Sequence, residues 1–278
     1  MNAAQATMQI DCARSGDGPP LLLVHSSASG NRQWGKLTTS LQGRYRVIAP
    51  QLRGYGGTSA WPGTRRQTLD DAAQVLLELC EQLEGRLRIV GHSYGGAVAL
   101  WAARKLGRRV SHLVLYEPML PGLLAPHGHP AAAEASALYA DVQRHGAAGD
   151  WLALAERFTD YFNGDGSWAA SPPARRAAIA AALPPNVHEW HAVMVGLPPD
   201  TFAGIAARCL LMSGTHTRPV MRATAELLAQ QHPHWQFELM PGCGHMAPLT
   251  HAEAFNQRVA GFLEGSAAER PKATSVEA

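Results

Sequence analysis

The sequence predicts an α/β fold in which a mostly parallel sheet is covered by helices on both faces. Three observations predict it. The 278 residues are enough for one large core. Short, continuously apolar runs recur along the chain, and segments with helical apolar spacing separate them. Strands that are apolar on both sides are typical of a parallel sheet that helices bury on both faces.

The apolar runs are short, and glycine, proline or serine bounds most of them, which favours strands over helices. The predicted strands are LLLVH (21–25), YRVIAP (45–50), LRIVGH (87–92), HLVLYE (112–117), CLLMSG (209–214) and HWQFELMPG (234–242). The last run is more polar and alternating, as in an edge strand. Helical spacing is found at 68–84, 94–106, 219–231 and 250–264.

A long segment interrupts this alternation. Residues 118–207 contain no good strand but several helical stretches rich in alanine and aromatic residues. We expect a helical cap over the carboxyl ends of the strands, where open α/β sheets bind ligands. The predicted core is therefore residues 1–117 and 208–265, and the cap is residues 118–207. The small, polar residues 266–278 are expected to form a disordered tail.

Composition narrows the class of partner. The net charge of +2 and the absence of a long Lys/Arg cluster argue against nucleic acid or an anionic membrane surface. No stretch reaches the roughly 20 apolar residues of a membrane helix. The first residues lack the basic start and apolar centre of a secretory signal, and the four cysteines form no CxxC pair. We expect a cytoplasmic protein that uses no metal or cofactor and binds a small molecule. A homodimer is possible.

The stretch GHSYGG places Ser93 between Gly91 and Gly95, where a predicted strand turns into a predicted helix. A tight turn of this kind needs glycine on either side, and it exposes the serine at a helix N-terminus, where developing negative charge is stabilised. We interpret Ser93 as a nucleophile. The alternative is a glycine-rich turn in which the serine is incidental.

A nucleophilic serine needs a base, which is usually histidine. The chain has thirteen histidines. His245 stands out because it lies in GCGHMAP, a glycine-rich loop between the last predicted strand and the last predicted helix. We predict it as the base.

With these residues the chain resembles the α/β-hydrolase superfamily over about residues 5–265, and within it the capped, esterase-like members with a serine nucleophile. The resemblance rests on VHSSASG, QLRGYGGTS, GHSYGG and GCGHMAP, which occur in the order and at the spacing of that family. It implies that the backbone amides of Ser27 and Tyr94 form an oxyanion hole. Where the family has His-Gly, this chain has His25-Ser26. Either Ser26 narrows the approach to the site, or its hydroxyl or that of Ser27 adds a contact to the substrate.

The family usually takes its triad acid from a G-x-x-D pattern, but here Thr217 stands in place of the aspartate. Some members place the acid at the end of the strand that the family numbers sixth, and here that strand, HLVLYE, ends in Glu117. We predict Glu117 as the acid. The alternatives are that Glu117 only anchors the cap, leaving Ser93 and His245 as a dyad, or that Asp200 serves.

A serine nucleophile suits acyl transfer, and we predict hydrolysis of a small or medium, mostly apolar carboxylic ester. Hydrolytic C–C cleavage, cofactor-free perhydrolysis and ligand binding without catalysis are alternatives on the same fold. The residues predicted to line the substrate pocket are Ser26, Trp34, Trp151, Phe158, Phe162 and Trp190.

Overall fold

The computed structural model describes residues 8–265 and contains a seven-stranded sheet. The predicted tail at 266–278 lies outside the described residues. The strands are β1 (Cys12–Ser15), β2 (Pro20–Val24), β3 (Arg46–Pro50), β4 (Leu87–His92), β5 (Val110–Tyr116), β6 (Arg208–Gly214) and β7 (Gln236–Met240). Their order across the sheet is β1-β3-β2-β4-β5-β6-β7. The predicted α/β class with a mostly parallel sheet is confirmed.

One strand was missed by the sequence analysis. Strand β1 pairs antiparallel with β3, from Cys12 opposite Pro50 to Ser15 opposite Val47, and every other pairing is parallel. Its sequence, CARS, contains no run of apolar residues, because the strand lies at the edge of the sheet and is only partly buried. A pattern built on burial could not identify it.

Eleven α-helices and four short 3-10 helices lie within residues 8–265. The α-helices are α1 (Gly35–Leu41), α2 (Leu69–Glu81), α3 (Tyr94–Leu106), α4 (Ala131–Ala148), α5 (Trp151–Asn163), α6 (Ser167–Ala170), α7 (Pro173–Ala181), α8 (Asn186–Val193), α9 (Pro219–Gln231), α10 (Ala247–Thr250) and α11 (Ala252–Glu264). Helix α2 begins with a capping box between Thr68 and Asp71, in which each side chain bonds the other residue's backbone N–H.

The sheet separates two apolar clusters. Leu21 and Leu23 of β2 pack with α1 and α11 on one face, whereas Leu22 of the same strand packs with α2, α3 and α9 on the other. Successive residues of a strand point to opposite faces, so a strand buried on both sides must be apolar throughout. This is why β2 reads as a continuous run.

The chain between β5 and β6 forms helices α4–α8 and no strand. These helices belong to the same apolar cluster as α2 and α3, through buried residues such as Leu154, Phe162 and Trp190. We refer to residues 118–207 as the inserted segment. That this segment is a cap separate from the core, with boundaries at residues 118 and 207, remains a proposal. No helix among residues 8–265 is long and apolar enough to cross a membrane.

Candidate active site

Ser93 occupies the sharp turn between β4 and α3. Its backbone has φ 55° and ψ −123°, a conformation that costs energy for any residue other than glycine. The turn is held because the Ser93 N–H donates to the Tyr116 carbonyl at 3.0 Å, while the Ser93 carbonyl accepts from the Met119 N–H at 3.0 Å. The side chain is therefore fixed at the carboxyl edge of the sheet.

The glycines around Ser93 are required by close packing. A Cβ on Gly95 would lie 2.2 Å from the His25 carbonyl oxygen, and a Cβ on Gly91 would lie 2.7 Å from the Gly95 oxygen. Any side chain at either position would push α3 away from the ends of β2 and β4. The glycine spacing that marks the motif in the sequence thus has a steric cause.

His245 lies between Ser93 and Glu117. Its Nε2 is 3.0 Å from the Ser93 hydroxyl oxygen, and its Nδ1 is 2.7 Å from Glu117 Oε2. All three residues are buried, with at most 3% of each exposed. The imidazole also packs against the Phe162 ring of α5, at 4.7 Å between centroids. The structure brings together three side chains that are 24 to 152 residues apart, in the geometry of a nucleophile, base and acid.

Glu117 follows β5 with φ 42° and is fully buried. Its Oε1 accepts hydrogen bonds from the Ser213 hydroxyl and the Gly214 N–H, and its Oε2 accepts one from the Thr217 hydroxyl at 2.8 Å. Burial alone would raise the pKa of this carboxyl. The hydrogen bonds and the charge of a protonated His245 outweigh burial, so the pKa lies below its usual value.

Thr217, found in the sequence where an aspartate is usual, is therefore part of this acid's surroundings. Its hydroxyl donates to the Glu117 carboxylate that occupies the space beside His245. Asp200, the alternative acid, is exposed on the chain preceding β6. The geometry favours Glu117 over Asp200.

The loop after β2 carries the amides of the expected oxyanion hole. We find no acceptor for the Ser27 N–H or the Tyr94 N–H within residues 8–265. His25 stabilises the base of this loop, since its Nδ1 bonds the Ser26 carbonyl at 2.8 Å and its Nε2 accepts from the Leu52 N–H at 3.0 Å. Burial lowers the pKa of His25 to about 4, so the ring is neutral at neutral pH.

Both serine hydroxyls of this loop are already bonded to the protein. Ser26 donates to Gln33 Oε1 at 2.8 Å, and Ser27 donates to Glu189 Oε2 at 2.5 Å. Glu189 lies on α8 of the inserted segment, is 2% exposed, and also accepts from the Tyr55 hydroxyl at 2.9 Å. Burial raises the pKa of Glu189, and its hydrogen-bond donors oppose that rise. That either hydroxyl adds a contact to the substrate stays a prediction.

Ser93 and His245 form part of the wall of a cavity of about 230 Å³. The apolar part of the wall is Ala28, Phe158, Phe162, Ile179, Met246 and Leu249. The polar part includes Ser26, Ser27, Ser29, Thr159, Asn163 and Arg175. Of the residues predicted to line the pocket, Ser26, Phe158 and Phe162 are found there. A cavity of this size fits a small or medium ligand.

The three predicted tryptophans do not line this cavity, so the pocket prediction is wrong for each of them. Trp34 stacks on Phe255 of α11 at 6.1 Å, in the cluster on the opposite face of the sheet. Trp190 stacks on Tyr139 of α4 at 6.5 Å, inside the inserted segment. Trp151 begins α5 and packs beside Gly146 of α4. Large aromatic side chains bury most area in helix–helix contacts, and a sequence pattern cannot separate that role from pocket lining.

Sequence analysis missed Glu189, Gln33 and the buried hydrogen bonds of His92. Glu189 carried one detectable signal, which is an acidic residue at the start of the mostly apolar stretch EWHAVMVGL. Gln33 carried none. Within residues 8–265, no group of three or more His, Cys, Asp or Glu side chains is arranged to hold a metal ion.

Comparison with known proteins shows the family to which this chain belongs. Residues 21–258 match the model of the alpha/beta hydrolase family. The pimeloyl-[acyl-carrier protein] methyl ester esterase of Nitrosomonas europaea is 26% identical over 246 residues, which cover 87% of this chain and 94% of that protein. The 2-hydroxymuconate semialdehyde hydrolase of a Pseudomonas species is 27% identical and covers 90% and 88% of the two chains.

Solved structures show the same likeness. The crystal structure of a bromoperoxidase from Bacillus anthracis superposes with a TM-score of 0.76 at 25% identity, over 94% of this chain and 97% of that chain. Because the family model covers most of the chain, from β2 into α11, the match includes all the elements that position Ser93, Glu117 and His245. The chain is an enzyme of the alpha/beta hydrolase family.

Proposed function

We propose that this protein is a serine hydrolase that cleaves a small or medium, mostly apolar carboxylic ester through an acyl-enzyme. The observation that carries the proposal is the hydrogen-bonded series Ser93 Oγ, His245 and Glu117, with distances of 3.0 and 2.7 Å, at the wall of a cavity. In this series His245 Nε2 accepts from the serine hydroxyl while its Nδ1–H donates to the Glu117 carboxylate, which is the tautomer that general-base catalysis requires.

The reaction follows from these contacts. Ser93 Oγ attacks the ester carbonyl carbon, and its proton passes to His245 Nε2. The C=O electron pair moves to oxygen, and the oxyanion accepts hydrogen bonds from the Ser27 and Tyr94 N–H groups. When the C–O bond breaks, the leaving alkoxide takes the proton from His245. Water then attacks the acyl-enzyme by the same steps and releases the acid. Glu117 orients the imidazole and stabilises its charge in both halves of the reaction.

The oxyanion role of the two amides is supported by the chain around them. Tyr94 begins α3, so its N–H has no acceptor within the helix and lies at the positive end of the helix dipole. Each donor of this kind contributes about 3 kcal/mol to the transition state in comparable enzymes. The Ser27 amide belongs to the loop that the His25 ring supports.

The substrate size and polarity follow from the cavity. A cavity of about 230 Å³ has room for an ester group with a few attached carbon atoms. Phe158, Phe162 and Ile179 of the inserted segment form an apolar part of its wall. We propose that this segment, residues 118–207, is a cap that covers the site.

A second candidate is hydrolytic C–C cleavage of a diketone by the same three residues. The similarity to the 2-hydroxymuconate semialdehyde hydrolase, which extends over 90% of this chain, favours it as the alternative. The two reactions share the nucleophile and differ in the leaving group, which is an alkoxide oxygen in one and a carbanion carbon in the other.

The first test is intact-mass analysis after treatment with a fluorophosphonate. Wild type is expected to gain one adduct, and Ser93→Ala none. Ser29→Ala is the matched control, since Ser29 lines the same cavity without a hydrogen bond to His245. It should label like wild type.

Substrate panels then separate the candidates. Hydrolysis of short p-nitrophenyl and methyl esters at rates well above those for diketones supports the esterase. Preference for a diketone supports C–C cleavage instead, and peracid formation from acetate and peroxide supports the perhydrolase alternative. A folded wild type that takes up no fluorophosphonate contradicts all three and favours a binding protein.

A further inference from the structure

His92 adjoins the proposed nucleophile but takes no part in the triad. It is fully buried, and both of its ring nitrogens have a polar neighbour. Nδ1 is 3.0 Å from Gln33 Nε2, and Nε2 is 2.8 Å from the backbone carbonyl oxygen of His245. Gln33 in turn meets the backbone N–H of Ser26 with its Oε1, at 3.1 Å. A buried series of hydrogen bonds thus runs from the loop after β2 to the loop that carries His245.

The direction of every bond in this series is fixed from its two ends. The Ser26 N–H can only donate, so the Gln33 atom beside it is the carbonyl oxygen, and the amide NH₂ must face His92 Nδ1. A backbone carbonyl can only accept, so His92 Nε2 carries the proton toward His245. The neutral Nε2–H tautomer of His92 is therefore the one that satisfies both neighbours.

The surroundings of His92 keep it neutral. Burial, followed by the charge of a protonated His245, lowers the pKa of His92 well below its usual value. The rings that face it are those of His245, at 5.0 Å, and Tyr116, at 5.7 Å. A proton on Nδ1 would also point at the Gln33 NH₂ group, so the cationic form would break the series.

We infer that His92, acting with Gln33 and Ser26, is a positioning residue that holds the backbone of His245 in register with the oxyanion loop. The inference rests on the proposed function, because it assigns roles to His245 as the base and to the Ser27 amide as an oxyanion donor. We call the hydrogen bonds from the Ser26 N–H through Gln33 and His92 to the His245 carbonyl the relay. It connects the backbone of the base with the oxyanion loop, and the two must act on one substrate carbonyl at the same moment. Small displacements between such groups are costly to catalysis.

Ser26, which stands where the family has glycine, also takes part in these hydrogen bonds. The Ser26 hydroxyl gives Gln33 Oε1 a second donor, at 2.8 Å, beside the Ser26 N–H at 3.1 Å. Two donors on one oxygen hold the amide in the orientation that directs its NH₂ group to His92. Through these two bonds Ser26 supports the geometry of the loop.

Nuclear magnetic resonance of the full chain with ¹⁵N-labelled histidine tests the tautomer without reference to activity. The His92 signals are identified by their absence in His92→Phe. We expect a pyridine-type Nδ1 and a protonated, pyrrole-type Nε2 at neutral pH. In Gln33→Glu the carboxylate cannot donate to Nδ1, and we expect both nitrogens of His92 to become protonated. An Nδ1–H tautomer in wild type overturns the relay.

Steady-state kinetics on the preferred ester tests the role. His92→Phe keeps an aromatic ring at this position but has no Nε2–H donor. We expect kcat to fall about tenfold or more, a barrier change of about 1.4 kcal/mol or more, with KM little changed. In His92→Gln the amide can donate to the His245 carbonyl in place of Nε2–H, and most of kcat should return. His232→Phe is the matched control. It removes another buried histidine, one that stacks on Trp235 before β7, and should leave kcat unchanged.

The outcomes separate the relay from the proposed function. Equal kcat in folded His92→Phe and wild type overturns the relay, as does an equal loss of kcat in the Phe and Gln variants that follows their loss of thermal stability. Wild type could instead show the Nε2–H signature of His92 but neither turn over esters nor take up fluorophosphonate. That result would contradict the proposed function and leave the hydrogen-bond series intact.

Discussion

Replacing Glu117 with glutamine is the most informative single change, because the structure determines how the amide must sit. Oε1 accepts from the Gly214 N–H at 2.8 Å, and that backbone group cannot become an acceptor. The amide oxygen of Glu117→Gln is therefore expected to take the Oε1 position. Its NH₂ group is then left in the Oε2 position, 2.7 Å from His245 Nδ1.

An NH₂ group beside Nδ1 selects the wrong imidazole tautomer. Nδ1 must lose its proton to accept the new hydrogen bond, so Nε2 gains one and can no longer accept the proton of Ser93 Oγ. The loss of a triad carboxylate by amide substitution lowers kcat by about 10⁴, or about 5.5 kcal/mol. We expect the kcat of Glu117→Gln to fall by about that factor, with little change in KM.

The assay is kcat and KM on the best ester, together with the rate of fluorophosphonate labelling and a thermal unfolding curve. Asp200→Asn is the control, because it removes the charge of the alternative acid at an exposed position. It should keep wild-type kinetics. A folded Glu117→Gln within tenfold of wild-type kcat would refute the assignment of Glu117 as the acid, and a large loss in Asp200→Asn would transfer that role.

Two further predictions concern the neighbours of the site. Thr217→Val preserves shape but removes a hydrogen bond to the Glu117 carboxylate, and we expect kcat to fall about tenfold at unchanged KM, since a bond to a charged group contributes about 1.5 kcal/mol or more; no change in kcat would contradict this. His25 should make stability depend on pH: the folded chain keeps it neutral down to a pH of about 4, whereas the unfolded chain binds a proton below about 6.5. Protons therefore favour the unfolded state in that window, and stability should fall by about 3 kcal/mol from His25 alone as the pH drops from 6.5 to 4. Urea unfolding across this range should show a smaller decline for His25→Gln but the wild-type decline for the exposed His216→Gln, and an unchanged decline in His25→Gln would contradict the prediction.

Much of the fold could be predicted because burial on both faces leaves a direct record in the sequence. Strand β4 and helices α3 and α9 have the predicted bounds, and the remaining predicted strands differ by a few residues. Strand β1 was missed for the same physical reason in reverse. It is an edge strand, partly exposed, that is held by backbone hydrogen bonds to β3, and such bonds do not depend on the identity of the side chains.

The pocket prediction failed for three of its aromatic residues because packing and ligand contact demand the same side chains. Trp190 is as apolar as Phe162, but it faces α4 while Phe162 faces His245. The difference lies in how the helices of the inserted segment pack against one another. That packing depends on every contact between the helices and has no local signature in the sequence.

The sequence by itself determined the parts of this protein that steric and chemical rules tie to residue type. Gly91 and Gly95 are needed because the backbone near them leaves no room for a Cβ, and they mark Ser93 in the sequence. The order of serine, acid and histidine motifs determined the family. Only the tertiary structure decided which carboxylate meets His245 and what the hydroxyls of Ser26 and Ser27 bond. Those answers depend on contacts between residues as far as 162 positions apart, such as that of Ser27 with Glu189, and hydrogen-bond partners at such separations are chosen by the packing of whole elements.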